Sequence, residues 1–493
     1  MTRIVFLCVL SFSILGVLTG CQGVGFGNPN PTPTPVPTPA GSLQSVNHII
    51  FMMQENRSFD AYFGKMNDAR SAAGLGRDAD DLETTFTNPA DDGDTISNFH
   101  LTTSCIFNTT AAWLESHGDA NRFDLTEGAP VLLDGFVHTA AGLAIFDGDP
   151  DTKGVRSMGF YEQADLPSPY FFANQFATSD RWYSPAPIQT EDVRLYSMAA
   201  TSAGLVHPPA ETNTTLTAKT IFQLLDAAGI TWKIYSVDHQ ANGKLITSLR
   251  NFQPYVFSVQ DHIVPISQFM TDLANNTLPS FSYIEPGFAS GLDEHPGTTD
   301  SISAGAKFMN SLLTAFISSP SYKDSIFIET FDEGGGLFDH VGPMIDGRPI
   351  QQLTSGPAGQ VVVPGIYSTD AATMHVPSPD GIKPRDLRAG DPADDFVRTG
   401  FRVPLIIVSP FAKVHYVSHT PMDYTAVLKF VEERFNLPSL TARDAIQPPM
   451  DEFFDFANSP NLNPPAAPSQ PTTLPCNPAA ASGTKGVPFT PPQ

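Results

Sequence analysis

The sequence predicts an α/β fold, a mostly parallel central sheet sandwiched by helices. Three observations predict it. Short apolar runs bounded by turn residues lack the strict alternation of half-exposed strands, as expected of strands buried on both faces. Stretches with helical spacing of apolar residues lie between those runs. The residues that follow several runs are carboxylates, amides and imidazoles, the content expected where ligands bind at the carboxyl edge of such a sheet.

In chain order, Val46–Met53 (VNHIIFMM), Thr231–Val237, Ser280–Ile284, Ser325–Phe331 (SIFIETF) and Pro404–Val408 (PLIIV) read as strands. Leu216–Ala228 reads as a helix stopped by Gly229. Ile302–Ile317 gathers Ile302, Phe308, Met309, Leu312, Leu313, Phe316 and Ile317 on one sector. Tyr424, Val427, Leu428, Val431 and Phe435 form another stripe, with Asp423 as its expected N-cap.

The chain has 493 residues, 27 of them Lys or Arg against 51 Asp or Glu, for a net charge of −24. This balance argues against nucleic acid as the main partner, because phosphate backbones need clustered Lys and Arg. It leaves room for a phosphate ester, since one bound cation can invert a local field. Hydrophobic residues make up 41% of the chain, enough for a large core.

The chain has 45 prolines, and their excess is concentrated at the two ends. Arg3 precedes an apolar run from Ile4 to Val17, then Leu18-Thr19-Gly20-Cys21. That is a basic start, a hydrophobic segment too short to span a membrane comfortably, and a small-residue cleavage site. The four-residue box resembles a bacterial lipoprotein signal, which implies an exported, membrane-anchored protein facing periplasm or exterior. Cleavage would remove residues 1–20 and leave a lipid on Cys21. Residues 21–43 then read as a Pro/Thr-rich linker, 44–457 as one catalytic domain and 458–493 as a Pro-rich irregular tail. Cys105 and Cys476 are the two remaining cysteines. An oxidising compartment would permit a disulfide between them, and two free thiols stay equally open.

Four of the expected strands run into polar residues. Val46–Met53 leads to Gln54-Glu55-Asn56-Arg57-Ser58-Phe59-Asp60. Ser280–Ile284 leads to Glu285-Pro286 and then Asp293-Glu294-His295-Pro296. Ser325–Phe331 leads to Asp332-Glu333 and three glycines, with Asp339-His340 beyond. Pro404–Val408 leads to Ser409-Pro410, with His415 and His419 behind. All four ends are expected at one edge. Adjacent carboxylates such as Asp332-Glu333 repel unless a cation or proton intervenes. Glu55, Asn56, Asp332 and Glu333 are oxygen donors, which suit a hard cation such as Mg, Ca or Mn. There is no HExxH or cysteine cluster and no GxSxG.

The blocks Met53–Asp60 with Tyr62-Phe63-Gly64, Asp134-Gly135-Phe136, Met158-Gly159-Phe160-Tyr161, Thr330–Gly335 with Phe338-Asp339-His340-Val341, and Gly400-Phe401-Arg402-Val403-Pro404 resemble the bacterial phospholipase C / acid phosphatase phosphoesterase family. The resemblance covers about Val46 to Phe456. It implies an alkaline-phosphatase-like fold and hydrolysis of phosphate mono- or diesters, phospholipid among them. It implies a hydroxyl nucleophile beside one divalent metal ion, whose identity (Ca, Mg, Mn or Zn) it leaves open. Glu55, Asn56, Asp332 and Glu333 would hold the metal. Thr190 would be the nucleophile, with Ser184 as fallback, and Arg194 would be the retained arginine. His117 and His295 would contact phosphate or protonate the leaving group. Two departures from the family pattern stand out. Asp192-Val193 replaces Pro-Asn after the nucleophile, and Ala111 stands where a histidine is usual. They leave a weakly active or non-catalytic surface lipoprotein as the alternative.

Overall fold

A computed structural model of the protein describes residues 41–481, apart from 213, 300, 354–355, 358–361, 365–373 and 472–473. The leader, the Cys21 box and nearly all of the linker lie outside the described residues, as does the end of the tail. The described residues fall within one compact unit, Ala40–Gln493.

Eight strands form the main sheet: β1 (His48–Gln54), β2 (Ala177–Ser179), β3 (Trp232–Ser236), β4 (Ile263–Pro265), β5 (Phe281–Glu285), β6 (Ser325–Phe331), β7 (Leu405–Val408) and β8 (Tyr416–Ser418). Their spatial order is β8-β2-β7-β6-β1-β5-β3-β4. β6, β1, β5, β3 and β4 are mutually parallel. β6 and all of β1 beyond His48 are buried. This two-faced burial is why the apolar runs do not alternate.

The helices used below are α1 (Phe59–Phe63), α2 (Trp113–Ala120), α3 (Phe136–Asp147), α4 (Pro167–Gln175), α5 (Thr190–Ala199), α6 (Ile221–Ala228), α7 (Ile266–Asn275), α8 (Ile302–Ile317) and α9 (Thr425–Phe435). One layer packs α4, α7 and α8 together, and another packs α5, α6 and α9. The expected fold class is therefore the one observed. α8 has the predicted bounds. α6 starts later than expected, because Thr220 and Gln223 form a capping box there. It stops at Gly229, φ 69°, as expected. Tyr424 takes the N-cap position of α9, while the Asp423 carboxylate accepts the Thr425 backbone N–H at 2.8 Å. β2, β4 and β8 escaped prediction because three residues carry no readable period.

One expectation about the sheet edge is overturned. β7 runs antiparallel to β6. Its carboxyl end, with Ser409, therefore lies at the opposite edge, where Ser409 Oγ donates to the carbonyl of Ser325 at the start of β6. His415 Nδ1 contacts the carbonyl of Asn174 at the end of α4. The amino end of β7 reaches the polar edge instead, bringing Arg402.

The tail is sparse in regular structure but docked. Tyr322 donates to the Asn461 carbonyl and Gln470 donates to the Asp165 carbonyl. A Cys105–Cys476 disulfide closes across 371 residues. Among the described residues no helix is long and apolar enough to cross a membrane.

Candidate active site

Register builds the centre of the site. β1 and β6 pair from His48↔Ser325 to Gln54↔Phe331. The next residues, Glu55 and Asp332, must then emerge side by side. The Asp332 N–H still donates to the Gln54 carbonyl at 3.1 Å, and the Glu55 N–H donates to the Asp293 carbonyl at 2.7 Å. Asn56 then turns into the left-handed region, φ 62°, a conformation that Asn tolerates better than most residues. The Asp332 carboxylate accepts the backbone N–H groups of Asn56 and Glu333 at 3.3 and 2.8 Å.

The glycines after Glu333 serve close backbone approach. A Cβ on Gly335 (φ 69°) would stand 2.5 Å from the Asn56 carbonyl oxygen, and one on Gly336 (φ 67°) 2.2 Å from that of Thr110. The Glu333 carboxylate turns back to accept the Gly335 N–H.

α5 supplies the remaining groups. Thr190 is its first residue, and Thr190 Oγ1 donates to Asn56 Oδ1 at 3.1 Å. One turn on, Arg194 bridges the two strand ends. It lies 2.9 Å from Glu55 Oε1 and 3.4 Å from Asp332 Oδ2, and it donates to the Met53 carbonyl at 3.0 Å. Arg194 is therefore spent on holding carboxylates in place. The Asp192-Val193 departure does not break this turn. Val193 is buried, and its carbonyl accepts the Tyr424 hydroxyl at 2.8 Å.

A cleft of about 350 Å³ opens over these groups, lined by Glu55, Thr190, Arg194, Glu285 and His295 among others. Its electrostatics are one-sided. Burial pushes the Glu55 carboxyl well above the usual range; Arg194 opposes this, while Asp332, Asp293 and Glu285 add to it. Burial also raises Asp332 against the pull of Arg194. Burial and then Asp332 raise Glu333, and burial takes Asp293 to about 6. Asp332 Oδ2, Asp293 Oδ2 and Glu285 Oε2 are buried without hydrogen-bond partners. Glu55 and Asp332 share the Arg194 guanidinium, while Asp293, Glu285 and Glu333 add negative charge around them. Glu55, Asp332 and Glu333 bring oxygen donors to these strand ends but do not gather three ligand atoms within 4.8 Å of one another.

His295 lines the same cleft, and burial depresses its pKa to about 4. Two other expected residues lie elsewhere. The buried His117 ring is tied to the Trp113 carbonyl at 2.6 Å and lies 3.5 Å from Asp394, and the residue does not line the cleft. Ser184 is wholly buried, with its hydroxyl 3.4 Å from the Ala186 carbonyl. Ala111 precedes α2, and its carbonyl accepts the Ser116 hydroxyl.

Sequence reasoning missed a second buried polar centre. Asp60, Asp339 and His340 bring one ligand atom each within 4.8 Å and could hold a metal ion. Here Arg402 supplies a cation, 2.9 Å from Asp60 and 2.7 Å from Asp339. His340 bridges Asp60 at 2.6 Å and Asp80 at 3.0 Å. These residues stood in the quoted sequence blocks, but their pairing across hundreds of residues leaves no local signal.

Residues 46–438 match the model of the "Phosphoesterase family". Phospholipase C B of Mycobacterium tuberculosis (strain ATCC 25618 / H37Rv) is 28% identical over 487 residues, covering 90% of this chain and 85% of that protein. Non-hemolytic phospholipase C of Pseudomonas aeruginosa is 28% identical over 457 residues, covering 86% and 59%. Non-specific phospholipase C1 of Arabidopsis thaliana is 26% identical over 439 residues, covering 84% and 72%. Among solved structures, a protein in the alkaline phosphatase superfamily from Vibrio parahaemolyticus matches with TM-score 0.32 and 11% identity, covering 59% of this chain and 66% of that one. The family match spans both central strand ends, α5 and the Arg402 centre, and the chain belongs to the phosphoesterase family, hydrolases that act on phosphate esters.

Proposed function

We propose that the cleft hydrolyses phosphate mono- or diesters, phospholipid included, through a phospho-enzyme on Thr190. Thr190 carries this reading: its hydroxyl sits at the cleft floor, hydrogen-bonded to Asn56, at the start of a helix and beside the Glu55–Asp332 pair. The hydroxyl hydrogen is directed to Asn56 Oδ1, which leaves Oγ1 lone pairs for an incoming phosphorus. The new Oγ1–P bond forms as the bond to the leaving oxygen breaks, the Thr190 hydroxyl proton passes to the neighbouring Asp332 carboxylate, and water then cleaves the phosphothreonine. The helix N-terminus favours the anionic group at that position. A divalent cation held by Glu55, Asn56, Asp332 and Glu333 would supply charge neutralisation for nucleophile and phosphate. Arg194 keeps Glu55 and Asp332 at their separation. His295 is the imidazole in the cleft and would give a proton to the leaving oxygen.

The Leu18–Cys21 box supports an exported lipoprotein, with the catalytic body tethered by a lipid on Cys21. Turnover of p-nitrophenyl phosphate, bis-p-nitrophenyl phosphate and p-nitrophenyl phosphorylcholine, with and without chelator, tests the reading and sorts monoester from diester. Turnover of none by metal-replete protein would leave a ligand-binding lipoprotein with a degenerate site.

A further inference from the structure

We propose that the outward face of α3, with Phe123 and Leu114 beside it, is a docking surface for a zwitterionic lipid bilayer. α3 is apolar on both sides. Phe136, Val137, Ala140, Ala141 and Ala144 are buried inward, while Ile145 and Phe146 on the other side are 41% and 86% exposed. Its sequence, FVHTAAGLAIFD, has no Lys or Arg, and its only acid is the last residue. A helix with one face in water normally carries charge on that face. Phe123 is 75% exposed and Leu114 36% exposed. Leu114 and Phe146 line a groove of about 780 Å³ between α2 and α3, whose wall also holds Leu125, Leu143, Glu115 and Arg122. Exposed apolar groups gathered in this way mark an interaction surface.

Three observations select a bilayer as the occupant. First, the rim carries both signs of charge beside aromatic rings. The Arg122 guanidinium lies 4.9 Å over the Phe123 ring and pairs with Asp91, which also binds His138 at 2.9 Å. Apolar bodies with ionic tips suit the headgroup boundary, and a chain of net charge −24 disfavours an anionic surface. Second, the Leu18–Cys21 box and the Pro/Thr-rich sequence after it belong, on the reading above, to a protein whose lipid sits in a membrane. Third, the groove adjoins the catalytic edge. Thr110 lines it, and the Thr110 carbonyl packs against Gly336 in the turn after Glu333. Docking there would bring lipid phosphate close to the cleft, so the inference rests on the lipid-anchored phosphoesterase reading above.

The test uses the full chain on phosphatidylcholine vesicles. The native Trp113, Trp182 and Trp232 are buried, so an added surface tryptophan gives a new signal. Phe146→Trp is compared with Leu462→Trp, which replaces a side chain 48% exposed in the tail. The Trp at 146 should shift to shorter wavelength on vesicles and lose most of its emission to phosphatidylcholine with brominated chains, while the Trp at 462 does neither. Equal behaviour of the two reporters, or no change at 146, would overturn the docking surface. So would a Phe146→Glu variant that converts a dimer to a monomer in size-exclusion chromatography, since a second copy would then cover the face. Unchanged thermal unfolding certifies the fold of each variant. Failure of the phosphoesterase reading shows separately, as absent p-nitrophenyl phosphate turnover in the unmodified protein.

Discussion

Thr190 Oγ1 donates to Asn56 Oδ1 across 3.1 Å, joining the first residue of α5 to the residue where β1 turns away. The bond fixes a hydroxyl over the paired strand ends. Thr190→Ala should lower turnover by on the order of 10³-fold or more, because it removes the cleft hydroxyl hydrogen-bonded at the Glu55–Asp332 strand ends. Thr190→Ser keeps the oxygen and should retain measurable activity. Initial rates on p-nitrophenyl phosphate check this, with circular dichroism certifying the fold. Wild-type rates in the Ala variant would remove Thr190 from the mechanism.

The carboxylate excess around Arg194 predicts a cation. Glu55, Asp293, Asp332 and Glu333 are all pushed upward by burial, and Asp332 adds to the rise at Glu55 and Glu333. Binding a divalent ion should relieve this repulsion and stabilise the fold. The gain is about 2.7 kcal/mol at a concentration one hundred times Kd. Thermal unfolding should therefore shift upward with added divalent salt, and chelation should abolish turnover. Asp332→Asn should lose both effects. A melting temperature and a rate that ignore chelator would refute the cation.

The outer frame was legible in the sequence because buried parallel strands write continuous apolar runs. SIFIETF gave both ends of β6, and the acids that follow were placed by the strand ends alone. The direction of β7 was not legible, since PLIIV reads the same either way. That one reversal moved Ser409 and His415 to the opposite edge and brought Arg402 to the polar edge, against Asp60 and Asp339. His117 illustrates a second limit. Its residue type fits catalysis, but burial beside Trp113 and Asp394 occupies its ring. The Arg402 centre depends on partners drawn from α1 and from loops far apart in sequence, which no local pattern announces.

His295 should matter in proportion to the basicity of the leaving group. Burial holds its pKa near 4, so the free enzyme carries a proton there mainly in acid. A group that donates its proton works below its pKa, so kcat/KM for an alkyl phosphate should fall as pH rises above about 4. His295→Gln should remove about 10²–10⁴-fold on that substrate. p-Nitrophenolate leaves without a proton, so the same variant should be nearly unaffected on p-nitrophenyl phosphate. Equal losses on both substrates would assign His295 to phosphate binding.

The tail should depend on its disulfide. Cys105–Cys476 closes a very long loop, and Asn477 N–H donates to Thr103 Oγ1 beside it at 2.9 Å. A cross-link of this kind stabilises by about 2–4 kcal/mol, mainly through the unfolded chain. Cys476→Ser should lower the unfolding midpoint and expose the tail to protease while leaving turnover intact. Non-reducing peptide mapping checks the bond directly; two free thiols in the purified protein would remove it.

The Arg402 centre should govern stability and its pH dependence. Arg402 is wholly buried between Asp60 and Asp339, with its guanidinium 4.5 Å over the Phe59 ring. Arg402→Ala leaves those carboxylates without their cation, and breaking a buried pair in this way costs about 3–5 kcal/mol. Burial opposes charge on His340, yet Asp60 and Asp80 on its two nitrogens raise its pKa to about 10. The unfolded value is about 6.5. A raised folded pKa means that this stabilisation is complete below about 6.5 and is lost as pH climbs toward 10. Burial raises Asp80, but His340, Arg181 and Arg402 outweigh it and hold the carboxyl below the usual range; that stabilisation is lost as pH falls. Asp339 is pushed up to about 6 by burial, with the opposite sign, so its titration ends before the alkaline limb. Denaturant unfolding from pH 7 to 10 should therefore show stability declining in the native protein. His340→Asn should be less stable at pH 7 and should flatten that limb. An alkaline limb of unchanged slope in the variant would mean that His340 is neutral in the folded state.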